Sequence, residues 1–302
     1  MFYYFDNYKT TLQIYFKRET NMICNSCSRK CNIDRAVKIG YCGMGKMKVA
    51  KVMTHFWEEP IICDSNGSGA IFFSGCNLKC NYCQNYEISH EGKGEDFTPE
   101  MLAKVFEDFD ASQANNINLV TPSHFVDEII KAFEIYTPRK PVVYNSSGYD
   151  DIDALKRIDK YIDIYLVDLK YFDSELSLNL SKAKDYFTVA SKAIDFMLKQ
   201  KSEDKFDGEI MTSGVIIRHL VLPGNTSDSL KVLDYLKTIG VQNRYISLMG
   251  QYTPCYNATG DLKRPLKKLE YTRVISYFNK LGFTKGFCQD LSSSSTDFIP
   301  DF

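Results

Sequence analysis

Six apolar runs punctuate the chain, at about residues 70–75, 116–122, 141–147, 161–170, 214–223 and 245–252. Between them the apolar positions recur with helical spacing. After Thr98-Pro99, residues Leu102, Val105, Phe106 and Phe109 share one face, and after Ser123, residues Val126, Ile129, Ile130 and Phe133 share another. Thr98 and Ser123 are the expected helix caps, and Pro99 suits a first helical turn. Every gap between runs is long enough for a helical crossover, so the pattern predicts six βα units and a parallel, curved sheet. In the fourth run, alternation puts Ile162, Ile164, Leu166, Asp168 and Lys170 on one face, apolar until its carboxyl end. On the third, Asn145 and Ser147 share a face.

Composition sets the scale of the fold. With 302 residues, 44% apolar and 14% aromatic, the chain is long enough to bury a full single-domain core with a short appendage. Its 37 basic and 38 acidic residues nearly cancel, so no global field draws it to nucleic acid or an anionic membrane. No run reaches the roughly 18 to 20 apolar residues of a membrane span, and no apolar signal core with a cleavage site opens the chain, which predicts a cytoplasmic protein. The expected division is an N-terminal extension at 1–21, a cysteine-rich segment at 22–60, and a core with a C-terminal extension at 61–302. Residues 1–21 lack periodicity and precede Met22, the expected native start in place of Met1.

Ten cysteines in short-spaced groups, without an export signal, point to metal rather than disulfides. The group Cys76-x3-Cys80-x2-Cys83 directly follows the first apolar run. Three thiolates can hold three irons of a [4Fe-4S] cube and leave the fourth open for chemistry. A zinc site would normally recruit a fourth protein ligand. The group Cys24-x2-Cys27-x3-Cys31-x10-Cys42 has four thiols, with Gly40, Gly43 and Gly45 between and beyond them, and suits a closed site of structural role that holds this segment against the core. Zinc and a fully ligated iron-sulfur cluster both fit it. Cys63, Cys255 and Cys288 stand alone and read as buried, inert thiols. His55, His90, His124 and His219 are scattered and read as hydrogen-bonded residues rather than ligands. The turn Asn66-Gly67-Ser68-Gly69 shapes an entry to the first strand, and Ser292 to Ser295 reads as a tail turn.

The three-cysteine spacing sits within FFSGCNLKCNYCQNYEIS, followed in order by NINLVTPSH, VYNSSGYD, DIYLVDLKY, IIRHLVLPG and SLMGQYTP. On these segments the chain resembles the radical S-adenosylmethionine (SAM) enzymes, and within them the pyruvate formate-lyase activating enzymes, in a branch that begins with an extra cysteine quartet. The resemblance implies a partial (β/α)6 TIM-like barrel with a small N-terminal cysteine-rich metal-binding appendage. It also implies a [4Fe-4S] cluster on Cys76, Cys80 and Cys83, and SAM as cofactor. Tyr82 matches a residue whose backbone meets the adenine. Asp168 and Lys170 match a pair that contacts the SAM ammonium and carboxylate. Asn145 stands where an aspartate helps bind a monovalent cation, so an amide replaces that charge. Gln84 replaces a histidine often found there, and Val120-Thr121-Pro122-Ser123 stands where a glycine-rich segment usually meets SAM. Arg218 could orient a carboxylate, and Gln251 and Tyr252 could line a substrate opening.

The implied activity is hydrogen abstraction, by resemblance from a glycine of a glycyl-radical enzyme, with a low-potential flavodoxin or ferredoxin as electron donor. Two other readings stand beside it: a radical SAM enzyme for another protein or a small molecule, and a non-catalytic metal-binding interaction module.

Overall fold

Alternating burial along the strands decides which residues face the inside of the sheet and which face its helices. The computed structural model describes residues 23–289. The expected extension at 1–21, the start at Met22 and the turn at Ser292 to Ser295 lie outside the described residues. The first two elements, β1 (Ile23–Cys24) and β2 (Ile33–Asp34), pair antiparallel within the cysteine-rich segment. There follow β3 (Lys48–His55), β4 (Ser68–Phe73), α1 (Tyr86–Ser89), β5 (Glu95–Asp96), α2 (Pro99–Ala111), β6 (Ile117–Val120) and α3 (Val126–Ile135). The chain continues through β7 (Val142–Ser146), α4 (Ile152–Ile158), β8 (Ile164–Asp168), α5 (Ser174–Ser181), α6 (Tyr186–Gln200) and β9 (Lys205–Asp207). Last come β10 (Ile210–Leu220), α7 (Thr226–Thr238), β11 (Tyr245–Met249), α8 (Lys268–Lys280) and β12 (Gly286–Cys288).

The six expected strands are β4, β6, β7, β8, β10 and β11, and each neighbouring pair among them is parallel. The main sheet runs β12-β11-β10-β8-β7-β6-β4-β3-β5, with β9 beside β10. The edges β12 and β5 do not pair with each other, so the barrel is partial and open. Four strands of this sheet were not expected, among them β9, which pairs antiparallel with β10. β12 adds a parallel strand at one side, and β3 and β5 add antiparallel ones at the other. Residues 48–55, expected within the cysteine-rich segment, thus belong to the main sheet.

Strand alternation sorts the core into two layers. Tyr165 and Val167 join the large cluster beneath the helices, whereas Ile164 and Leu166 pack with Ile62, Val143, Met211 and Ile216 on the other face. Parallel register sets Asp168 opposite Arg218, and Arg218 opposite Ser247. Polar side chains from three adjacent strands therefore meet at one level inside.

Thr98 caps α2 as expected, its Oγ1 accepting from the Met101 N–H at 3.3 Å. Ser123 does not cap α3. That helix starts at Val126 after Phe125, and Ser123 Oγ instead donates to Asp150 Oδ1 at 2.5 Å. Ser123 stands two residues before the cap position, and its hydroxyl serves a buried carboxylate instead.

The cysteine-rich unit is fastened to the core by polar contacts. Ser26 Oγ donates to Asp127 Oδ2 at 2.6 Å, and Arg35 Nη1 reaches the His124 carbonyl at 2.8 Å and Glu128 at 3.4 Å. Arg29 Nε donates to the Asn77 carbonyl at 2.7 Å, directly on the loop that carries Cys76.

Candidate active site

The loop after β4 turns at Gly75, whose φ of +79° is in the left-handed region. A Cβ there would lie 2.7 Å from the Cys42 carbonyl oxygen and 2.6 Å from Met44 Cγ, so only glycine lets the loop lie this close to the cysteine-rich unit. Each of the next three thiols has a hydrogen-bonding neighbour. The Leu78 N–H lies 3.4 Å from Cys76 Sγ, Ser181 Oγ 3.0 Å from Cys80 Sγ, and Ser89 Oγ 3.2 Å from Cys83 Sγ. Burial pushes Cys76 up to about 12 and Cys80 up to about 11, and the like charges of neighbouring thiolates add to this. Cys83 is raised by burial as well. The donor set is compatible with a cluster: three thiols on one loop that feel one another's charge, each with a hydrogen-bonding neighbour.

Facing Cys80 is a polar network inside the sheet. Lys170 Nζ donates to Asp168 Oδ2 at 2.6 Å, and Arg218 Nε donates to Asp168 Oδ1 at 2.8 Å. Arg218 Nη2 also donates to Asn145 Oδ1 at 2.7 Å. Burial alone would raise Asp168, yet Arg218 and Lys170 hold its carboxyl below the usual range. Lys170 is raised despite burial, by Asp168 and by the Cys80 side chain, which places the ammonium beside the cysteine loop. The structure thus brings together Asn145, Asp168 and Lys170, and adds Arg218, which ties Asn145 to Asp168. Ser147, at the same strand end, has a buried hydroxyl with no partner among the described residues.

Two carboxylates in this network were not foreseen. Glu58 Oε1 accepts from Asn118 Nδ2 at 3.0 Å and from Asn145 Nδ2 at 3.3 Å, and Glu58 Oε2 lies 3.8 Å from Arg218. Glu59 is buried alongside, and burial pushes it up to about 7 against the pull of Arg218. Both come from HFWEEP, a segment with neither strand nor helix period. The signal available was two adjacent acids just before the apolar run Pro60-Ile61-Ile62, whose Ile62 is fully buried.

Tyr82 is buried, and its Oη lies 2.5 Å from Tyr171 Oη, which in turn lies 2.6 Å from Ser181 Oγ. Its backbone carbonyl accepts from Cys255 Sγ at 3.1 Å. Cys255 is therefore half-buried rather than buried and not solitary in space, since its thiol lies against the cysteine loop. Cys288 is exposed rather than buried, being on an edge strand, and Cys63 is buried as expected. Tyr252 packs instead of lining an opening, with its Oη bonded to the Leu262 carbonyl at 2.6 Å, while Gln251 is half-buried. His124 and His219 are buried and hydrogen-bonded, to the Ser74 carbonyl and to the Leu169 carbonyl and Ser229. His90 Nε2 meets the Cys80 carbonyl at 3.0 Å.

In the quartet, Cys24, Cys27 and Cys42 are buried and Cys31 is half-buried. A Cβ on Gly40 would lie 3.4 Å from Cys42 Sγ and 3.8 Å from Cys31 Sγ, so these two sulfurs flank one backbone point. Burial pushes Cys27 up to about 12, with added repulsion from Cys42, Cys24 and Cys31. Among the described residues, no three His, Cys, Asp or Glu side chains are grouped as for a single metal ion, at this set or at Cys76, Cys80 and Cys83. No helix there is long and apolar enough to cross a membrane.

Residues 70–236 match the model of the Radical SAM superfamily. An uncharacterised protein of Methanocaldococcus jannaschii, MJ0674, is 28% identical over 269 residues, covering 85% of this chain and 74% of its own length. A pyruvate formate-lyase-activating enzyme of Clostridium pasteurianum is 26% identical over 116 residues, covering 35% of this chain and 46% of that enzyme. Among solved structures, native anSMEcpe with bound AdoMet has 16% identity and a TM-score of 0.50 across 70% of this chain and 61% of its own. That likeness concerns the fold.

Proposed function

The chain belongs to the radical SAM superfamily, and from that premise we propose that it activates a protein partner by abstracting a hydrogen atom, with a glycyl-radical enzyme as the favoured substrate. The observation that carries this reading is the meeting of the Cys76–Cys83 loop with the Asp168–Lys170 pair. The superfamily implies a [4Fe-4S] cluster and SAM, which together supply reductive cleavage of the sulfonium to a 5′-deoxyadenosyl radical. This chain's residues bind and orient the two.

Cys76, Cys80 and Cys83 would hold the cluster. Lys170 would donate to the SAM carboxylate, and Asp168 would accept from its ammonium. Arg218, bonded to Asp168 and Asn145, keeps both side chains at fixed positions before SAM arrives. The guanidinium also puts a permanent positive charge between Asn145 and Asp168. Tyr82 holds the loop through its phenol, and its carbonyl, which now accepts from Cys255 Sγ, would face the adenine. The partial match to the activating enzyme favours a polypeptide substrate, and an open barrel edge admits one. A glycine loop fits such a site because a residue without a side chain lets its backbone come close to the reacting carbon.

The test is anaerobic reconstitution and reduction, followed by SAM and candidate glycyl-radical proteins. The expected products are 5′-deoxyadenosine and a glycyl doublet in electron paramagnetic resonance (EPR) spectra. No 5′-deoxyadenosine from protein with an assembled cluster ends the enzyme reading. Cleavage without any doublet transfers the proposal to another protein or a small molecule.

A further inference from the structure

The two cysteine groups are far apart in sequence but meet in the fold. The Cys76 N–H donates to the Cys42 carbonyl at 3.3 Å, so one hydrogen bond joins a residue of the quartet to a residue of the triad. Covalent reach from each backbone atom to its own sulfur then caps the separation of the two Sγ atoms at about 14 Å. The contact is braced on both sides. Arg29, two residues after Cys27, grips the carbonyl of Asn77, one residue after Cys76, and stacks 3.9 Å from the Tyr41 ring beside Cys42. Gly75 has no room for a side chain against Cys42, so substitution there would pry the groups apart.

A merely structural metal could hold the N-terminal segment anywhere on the barrel. Here the segment is held on the cysteine loop. We propose that Cys24, Cys27, Cys31 and Cys42 carry a second iron-sulfur cluster, and that it relays single electrons from a flavodoxin- or ferredoxin-class carrier to the cluster on Cys76, Cys80 and Cys83. The proposal rests on the radical SAM reading of that triad.

The surroundings of the quartet suit redox work. Arg35 Nη2 lies 3.6 Å from Cys42 Sγ and the Tyr41 N–H 3.4 Å from Cys31 Sγ. Positive charge and donors to sulfur stabilise the more negative, reduced form of a cluster. Zinc in the same place could pass no electron. Neither cysteine set is grouped as for a single ion, and the superfamily makes one of these two similar sets a cluster site. Cys31 is the least buried of the quartet, and its sulfur lies against Gly40 and Tyr41, just after Val37 and Ile39, which are 75% and 71% exposed, so this side of the site is the one open to a carrier. During turnover SAM and a polypeptide cover the triad's open side, and the electron needs a route through protein. The balance is simple. The carrier loses one electron, the quartet cluster gains and loses it, and the electron ends in the carbon–sulfur bond that breaks; no ligand bond changes.

The full chain is reconstituted anaerobically with iron and sulfide, beside a Cys76/Cys80/Cys83→Ala triple variant and a Cys27→Ser variant. Wild-type protein should hold about twice the iron and sulfide of the triple variant, which itself keeps one cluster. EPR of fully reduced wild type should show the broadening of two magnetically interacting clusters, absent from both variants. Stopped-flow reduction of the triad cluster by flavodoxin, divided by the rate with dithionite, should fall by about tenfold or more in Cys27→Ser. Zinc in the triple variant overturns the proposal, as does a non-interacting spectrum in wild type. The latter needs no variant and is immune to misfolding. If dithionite-driven SAM cleavage proceeds while the interaction is absent, the relay fails and the enzyme reading stands. If the interaction is present and cleavage is not, the reverse holds.

Discussion

Within the barrel three carboxylates, Glu58, Glu59 and Asp168, face two cations, Lys170 and Arg218. Asp168 holds both cations, so removing its charge strands them. Asp168→Asn should weaken SAM binding by about tenfold or more, equivalent to roughly 1.4 kcal/mol, and equilibrium binding to the reconstituted variant measures it; an unchanged affinity would take Asp168 out of the site. The surplus negative charge falls on Glu59, which burial pushes from its ordinary 4.5 up to about 7. A raised acid makes the folded state hold more protons than the unfolded one. Its favourable contribution is therefore complete below about pH 4.5 and is lost as pH climbs toward 7, by up to about 1.4 kcal/mol per pH unit. Glu59→Gln should remove that slope, so that the variant gains on wild type in urea midpoints between pH 5 and 8. Parallel profiles would show that Glu59 ionises freely in the folded protein.

At the scale of elements, the site depends on how the ends of β7 and β8 are locked together. Tyr186 Oη lies 2.8 Å from the Ser147 carbonyl and 2.9 Å from the Asp168 carbonyl, donating between them, and accepts the Lys170 N–H at 2.9 Å. Gly148 lets the strands close: its φ is +78° and an added Cβ would stand 2.2 Å from the Asp168 carbonyl oxygen. Gly148→Ala must move backbone and adopt a left-handed conformation, at a combined cost of about 2 to 4 kcal/mol. Denaturant titration should register that loss, with SAM affinity falling alongside because Asp168 moves. A variant of wild-type stability would mean that β8 yields freely here. The helices were legible at this scale from their own residues: Thr98 caps α2 because threonine, proline and the apolar face lie within a few positions. Ser123 is also followed by an apolar face, yet the helix starts later, at Val126, and its hydroxyl donates to the buried carboxylate of Asp150, 27 residues away.

For the whole molecule, the cysteine-rich unit is a second layer on the cluster loop, joined through Arg29, Arg35, Ser26 and the Cys42–Cys76 hydrogen bond. Arg29→Ala removes the hydrogen bonds to Asn77 and Lys182 and the stacking on Tyr41 and Tyr149. Local opening of this contact should then become easier than global unfolding. Hydrogen exchange should speed up at residues 76–83 and stay unchanged in β7 and β8. Equal protection across the loop in variant and wild type would show that Arg29 does not hold the two units together.

The features that residues 70–252 determined by themselves are local ones. Six strands follow from apolar runs, one-faced helices from a 3.6-residue period, and the loop of three cysteines from spacings of three and two, since each depends on neighbours within one element. Asp168 and Lys170 could be paired in advance because they sit two apart on a strand. Arg218 as a second partner of Asp168 could not, since it lies 50 residues further along the chain and is brought across by parallel register alone. Tertiary structure likewise decided the entry of Glu58 and Glu59, the thiol of Cys255 on the Tyr82 carbonyl, and the added strands β3, β5, β9 and β12. The short edge strands β5 and β12 form only because a sheet edge is there to receive them. The contact of the quartet with the triad belongs to the same class. Spacing announces each set of thiols, and only the packing of one unit on the other sets the distance between them.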